Sequence, residues 1–147
     1  MTPPKWAQNL LLDAGLWLES QGESVPPVSL TWWHGKRHSS SSGRYRPDTR
    51  EIHVTSGQSR LDCKLVLLHE LAHACTPHKE RKCTCAGQWY GPDSKPCPAP
   101  TFTKYECHTD EFWVLAWQLF RWAGLPIRYC REREYSYAKS RKTYAKK

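Results

Sequence analysis

Apolar residues recur at helical spacing in three stretches of the chain, and at alternating spacing in a short region between the first two. Trp6, Leu10, Leu11, Ala14, Trp17 and Leu18 fall on one stripe of a helix over residues 5–21, with Pro3 and Pro4 ahead of it and Gly22 placed to end it. After Pro26 and Pro27 the pattern changes. Residues 28–37 are rich in β-branched and aromatic side chains and predict a strand; residues 43–46 start a second; Glu51 to Thr55 make a third, with Ile52 and Val54 on one face. Next come Leu61, Leu65, Val66, Leu67, Leu68, Leu71, Ala72 and Ala74, apolar on nearly every side of a helix and therefore buried. Ser59 is its expected N-cap, with Asp62 favoured in the first turn by the helix dipole. The helix stops near Thr76 and Pro77, and residues 77–107 follow as a long connection rich in Pro, Gly, Lys and Cys. Thr109 to Ala123 predict a closing helix that buries Phe112, Leu115, Ala116, Leu119, Phe120 and Ala123, ended by Gly124 and Pro126.

The expected fold class is α+β: an N-terminal helix, a small three-stranded antiparallel sheet, a buried helix, a Cys-rich loop and a closing helix. At 147 residues and 39% hydrophobic content the chain is long enough for one real core. Residues 1–126 are read as that domain and residues 127–147 as a basic, Tyr-rich C-terminal tail.

The buried helix carries His69, Glu70 and His73 in the order His-Glu-x-x-His. Residues four apart share a helix face, so the two imidazoles can grip one metal ion. Glu70 projects about 100° further round, beside the open side of that ion. This is the zincin-like arrangement, two histidines on Zn²⁺ and a glutamate base for a metal-activated water. The bland alternative is a core helix whose histidines bond to backbone, but two histidines and a glutamate buried together are costly without a stronger reason. A catalytic zinc takes three protein ligands. A metzincin would need Gly at position 76 and His at 79, where the chain has Thr76 and Lys79. His78, Glu106, Glu111 and His108 remain as sources of the third ligand.

The stretches Leu68-His69-Glu70-Leu71-Ala72-His73-Ala74 and His108-Thr109-Asp110-Glu111-Phe112-Trp113 resemble the SprT-like metalloprotease family, which includes the Spartan proteases that digest proteins crosslinked to DNA. The likeness covers residues 5–123 in layout, but two short motifs carry its specificity. It implies zinc on His69, His73 and His108, with Glu70 as the catalytic base. The chain departs from the family pattern at Thr109, where glycine is usual, and has no paired Cys-x-x-Cys ribbon near its C-terminus.

Seven cysteines, an odd number with no export signal, argue against a disulfide framework. Cys83, Cys85, Cys97 and Cys107 are candidates for a second, structural zinc that staples the long connection, with free thiols or one disulfide as the alternative. Cys63 and Cys75 read as small core residues.

The net charge of +8 is segregated: residues 31–60 carry +4 and residues 111–147 carry +6, while residues 1–30 carry −2. Segregated basic charge fits a polyanion such as DNA, and equally a solvated basic surface. Arg128, Arg131, Arg133, Lys139, Arg141 and Lys142, interleaved with tyrosines that can stack on bases, are the candidate nucleic-acid contacts. No stretch reads as a transmembrane span or a signal peptide, since the run from Leu10 to Leu18 is short and broken by Asp13. The protein is expected to be intracellular, in the cytoplasm or beside a nucleoid or nucleus, with no membrane partner. The leading expectation is a zinc-dependent endopeptidase acting on DNA-associated proteins, its substrate backbone aligned by strand addition at Glu51 to Thr55. The competing one is a non-catalytic, zinc-containing nucleic-acid-binding module.

Overall fold

Ile52 and Val54 are fully buried on the middle strand of the sheet, and the rest of the molecule is laid against them. The computed structural model describes residues 2–33, 43–76, 79–82, 103–106 and 108–134. In chain order these form α1 (Lys5–Ser20), β1 (Ser29–Trp33), β2 (Gly43–Arg46), β3 (Glu51–Thr55), α2 (Arg60–Cys75), β4 (Lys79–Lys82), β5 (Thr103–Glu106), α3 (Asp110–Trp122) and α4 (Ile127–Arg133). The α+β class, the N-terminal helix and the closing helix follow the sequence pattern.

The sheet does not. Its order is β1-β3-β2, with β2 antiparallel to β3 but β1 parallel to it, in register from Ser29 opposite Glu51 to Trp33 opposite Thr55. It is mixed, where an antiparallel sheet was expected. The physical reason lies in burial: β3 has the most buried side chains of the three and takes the centre, so β1 and β2 flank it. The turn at residues 47–50 makes β2 and β3 a hairpin, and Arg50 there adopts a positive φ of 56°. A central β3, bonded on both sides, has no free edge for a substrate strand; that role is open only to an edge strand.

Three helix ends are built as the sequence signals. Ser59 accepts the Asp62 N–H at 3.1 Å and caps α2. Gly22 (φ 87°) and Gly124 (φ 72°) supply the left-handed residues after α1 and α3. Beyond them Glu23 N–H reaches Leu18 O and Leu125 N–H reaches Phe120 O, each at 3.0 Å, so each helix turns sharply back onto the core.

α2 lies between the sheet and α3. It buries Leu65, Leu67, Leu68, Leu71 and Ala72, while α3 buries Phe112, Trp113, Leu115, Ala116, Trp117, Leu119 and Phe120. α1 closes the other side, with Trp6 edge-on to Trp32 and Trp17 stacked on Trp122. Gly43 allows β2 to lie directly on α2: a Cβ there would strike the Val66 side chain and come within 2.5 Å of the His53 carbonyl oxygen.

Two elements depart from the sequence reading. The connection of residues 77–107 contains a hairpin, with β4 antiparallel to β5. The segment expected as tail begins with α4, whose Cys130 is fully buried and whose flanking Glu134 is 5% exposed. No helix among the described residues is long and apolar enough to cross a membrane.

Candidate metal centre

The buried face of α2 presents His69, Glu70 and His73 next to the start of α3, which brings in His108. One ring nitrogen from each of His69, His73 and His108 lies within 4.8 Å of the other two. Two Zn–N bonds of about 2.0–2.1 Å at a tetrahedral angle put their nitrogens roughly 3.3–3.4 Å apart. Nε2 of His69 and Nε2 of His108 are 3.3 Å apart, so these rings already have the spacing of two ligands on one ion. Among the described residues the set is three nitrogen donors, which fits a borderline-soft cation.

The rings are held by aromatic packing. Phe112, fully buried, stacks on the His73 ring at 4.1 Å and meets His69 and His108 edge-on at 4.9 and 5.0 Å. Trp113 stacks on His108 at 5.4 Å. Thr109, which replaces the glycine of the resembled motif, sits in extended backbone (φ −76°, ψ 171°) that any residue adopts. Its hydroxyl accepts the Phe112 N–H at 3.1 Å and caps α3, so the threonine fixes the turn that aims His108.

Among the alternative third ligands, Glu111 is exposed on the first turn of α3 and is not in the group. His78 lies outside the described residues, and of Glu106 only the backbone, in β5, is described. Cys83, Cys85, Cys97 and Cys107 are outside the described residues too, as are Lys139, Arg141 and Lys142. Cys63, Cys75 and Cys130 are free thiols. Burial pushes Cys63 and Cys75 up to about 11 and Cys130 up to about 12, which leaves them inert as thiolates at neutral pH. Arg128 pairs with Glu132 on α4 itself, at 3.5 Å, and Arg131 is exposed. Arg133 is committed elsewhere: its Nε donates to Asp62 at 2.9 Å.

One residue escaped the sequence reading. Glu134, at the end of α4, accepts from Nδ1 of His69 at 3.0 Å. An acid beside Glu132 in a basic, Tyr-rich segment carries no local signal, and 65 residues separate the partners.

Burial pushes the Glu70 carboxyl up to about 7; the Glu134 carboxylate adds to the rise, while His69 and the Tyr45 backbone N–H, which donates to Glu70, oppose it. Burial pulls His69 down, but the charge and hydrogen bond of Glu134, helped by Glu70, more than offset it and leave its pKa raised. Both shifts make the metal-free folded state bind protons that the unfolded chain has released. The contribution of Glu70 to the stability of the metal-free protein is therefore full below its unfolded value of 4.5 and is lost as pH rises through about 7. His69 loses its contribution in the same direction, from 6.5 upward through its raised value. The expected loss from Glu70 is on the order of 3 kcal/mol, read as a lower urea midpoint at pH 8 than at pH 5 after chelation. Glu70→Gln should remove most of that slope; a flat profile in the wild type would contradict the burial of an ionisable Glu70.

No family model matches the chain, and neither does any curated protein or solved structure.

Proposed function

We propose that this chain is a zinc-dependent endopeptidase of zincin-like, SprT-like type that acts on DNA-associated proteins. The observation that carries the reading is the convergence of His69 and His73 of α2 with His108 ahead of α3, beside the buried carboxyl of Glu70 on α2. Three histidines would hold the zinc, which when bound supplies a Lewis acid and lowers the pKa of water in its open position. Glu70 takes the proton from the attacking water at its carboxylate and passes it to the leaving amine. A group that titrates near neutrality can do both. β2, an edge strand whose Tyr45 N–H already reaches Glu70, is the strand placed to align an extended substrate.

DNA association rests on the net charge of +8 and its concentration towards the C-terminus. Among the described residues the donor set has three members, which favours the protease reading over the zinc-containing binding module. A structural zinc is closed by four ligands, and nothing in it requires a buried carboxylate beside an open position.

The test is hydrolysis of an unfolded protein substrate, with and without single-stranded DNA. Activity removed by chelation and restored by stoichiometric zinc is the expected result. Zinc-loaded protein that binds DNA in a salt-dependent way but cleaves nothing would overturn the protease reading in favour of the module.

A further inference from the structure

We propose that Glu134 is a positioning residue of the metal centre, and that α4 is the device that delivers it; this rests on the reading of His69, His73 and His108 as metal ligands. A carboxylate at the C-terminal end of a helix faces the negative end of the dipole, and burial adds to the cost. Glu134 has both handicaps. It is the residue directly after α4, its backbone N–H closing on Cys130 O at 2.9 Å, and it is 5% exposed. What offsets them is the His69 ring at 3.0 Å.

That bond has a direction. Glu134 accepts, so His69 carries its proton on Nδ1 and offers the Nε2 lone pair towards His108. A carboxylate on the remote nitrogen of a ligating histidine fixes tautomer and ring orientation and raises donor strength.

The delivery of Glu134 is built in a second way. Tyr129 O–H and Arg133 Nε both donate to the carboxylate of Asp62, on the first turn of α2. Arg133 also lies over the Tyr129 ring at 5.2 Å. Cys130, between them on α4, is fully buried. α4 is thus pinned to the start of α2 by one carboxylate while Glu134 reaches His69 further along the same helix. Sidedness and reach are both set.

The experiment is zinc affinity by competition with a chromophoric chelator, for wild type, Glu134→Ala, Glu134→Gln and His108→Ala in the full chain. It is paired with ¹⁵N NMR of His69 in the zinc-free protein in mildly alkaline buffer. Glu134→Ala should weaken zinc by about 10–100-fold and turn a single Nδ1–H tautomer into a mixture. Glu134→Gln, which keeps an oxygen acceptor of the same reach, should fall between Ala and wild type, and it decides the matter if Glu134→Ala does not fold. Wild-type affinity and an unchanged tautomer in Glu134→Ala, or wild-type affinity in Glu134→Gln if Glu134→Ala does not fold, with His108→Ala weakened, would overturn the role of Glu134 and leave the metal centre standing. A wild type that takes up no zinc would overturn both.

Discussion

Glu70→Gln is expected to lower peptide hydrolysis by about 10²–10⁴-fold, the range that one positioned general base contributes, while the zinc content stays at the wild-type level. The substitution is nearly isosteric. It leaves an amide oxygen to accept the Tyr45 N–H and removes the carboxylate proposed as the proton acceptor. It should not harm the fold. Glu70 is 8% exposed, and an ionised carboxylate there is costly until a cation arrives, so the metal-free variant should be at least as stable as wild type at neutral pH. The pair of measurements that decides is hydrolysis rate and zinc stoichiometry on one preparation. Lost activity with lost zinc would make Glu70 structural; retained activity would remove it from the chemistry.

His108→Ala should have the largest effect on the metal. It deletes one of three nitrogen donors, and so should exceed the roughly 10–100-fold that loss of an outer partner costs. The side chain is half-buried between Trp113 and Phe112, so the fold should lose only about 1–2 kcal/mol, a change visible as a modest fall in melting temperature. Elemental analysis reads the result directly. Zinc retained at full stoichiometry would mean that another residue supplies the third donor, and Glu111, three residues on, would be tested next.

These predictions rest on residues that differ in how legible they were. His69, Glu70 and His73 are legible from spacing alone, because a 3.6-residue period places them with no knowledge of the rest of the fold. His108 is legible through a motif, since its distance from α2 is set by tertiary packing of α3 and not by any local rule. Strand faces came through, as Ile52 and Val54 show, because alternation reports which side is buried. Strand order did not. A chain leaving β1 can return on either side of it, and alternation is the same for parallel and antiparallel neighbours. α4 was hidden by its own composition: seven residues after a proline, with three arginines, look like solvated tail until Cys130 is seen buried and Glu134 bonded to His69 of α2. The boundary expected at residue 126 therefore falls between two packed helices.

The ligand spacing also has a topological consequence. His69 and His108 stand 39 residues apart, so an ion held by both acts as a crosslink across everything between them. For a flexible loop of that length the closure entropy is on the order of 3 kcal/mol, and doubling the loop adds only about 0.6 kcal/mol. Once α2 and α3 have fixed the two ends, the length of the intervening connection hardly enters the energy of the centre. Insertions between β4 and β5 should therefore be well tolerated, and evolution is free to fit that span with new recognition surfaces without retuning the three histidines.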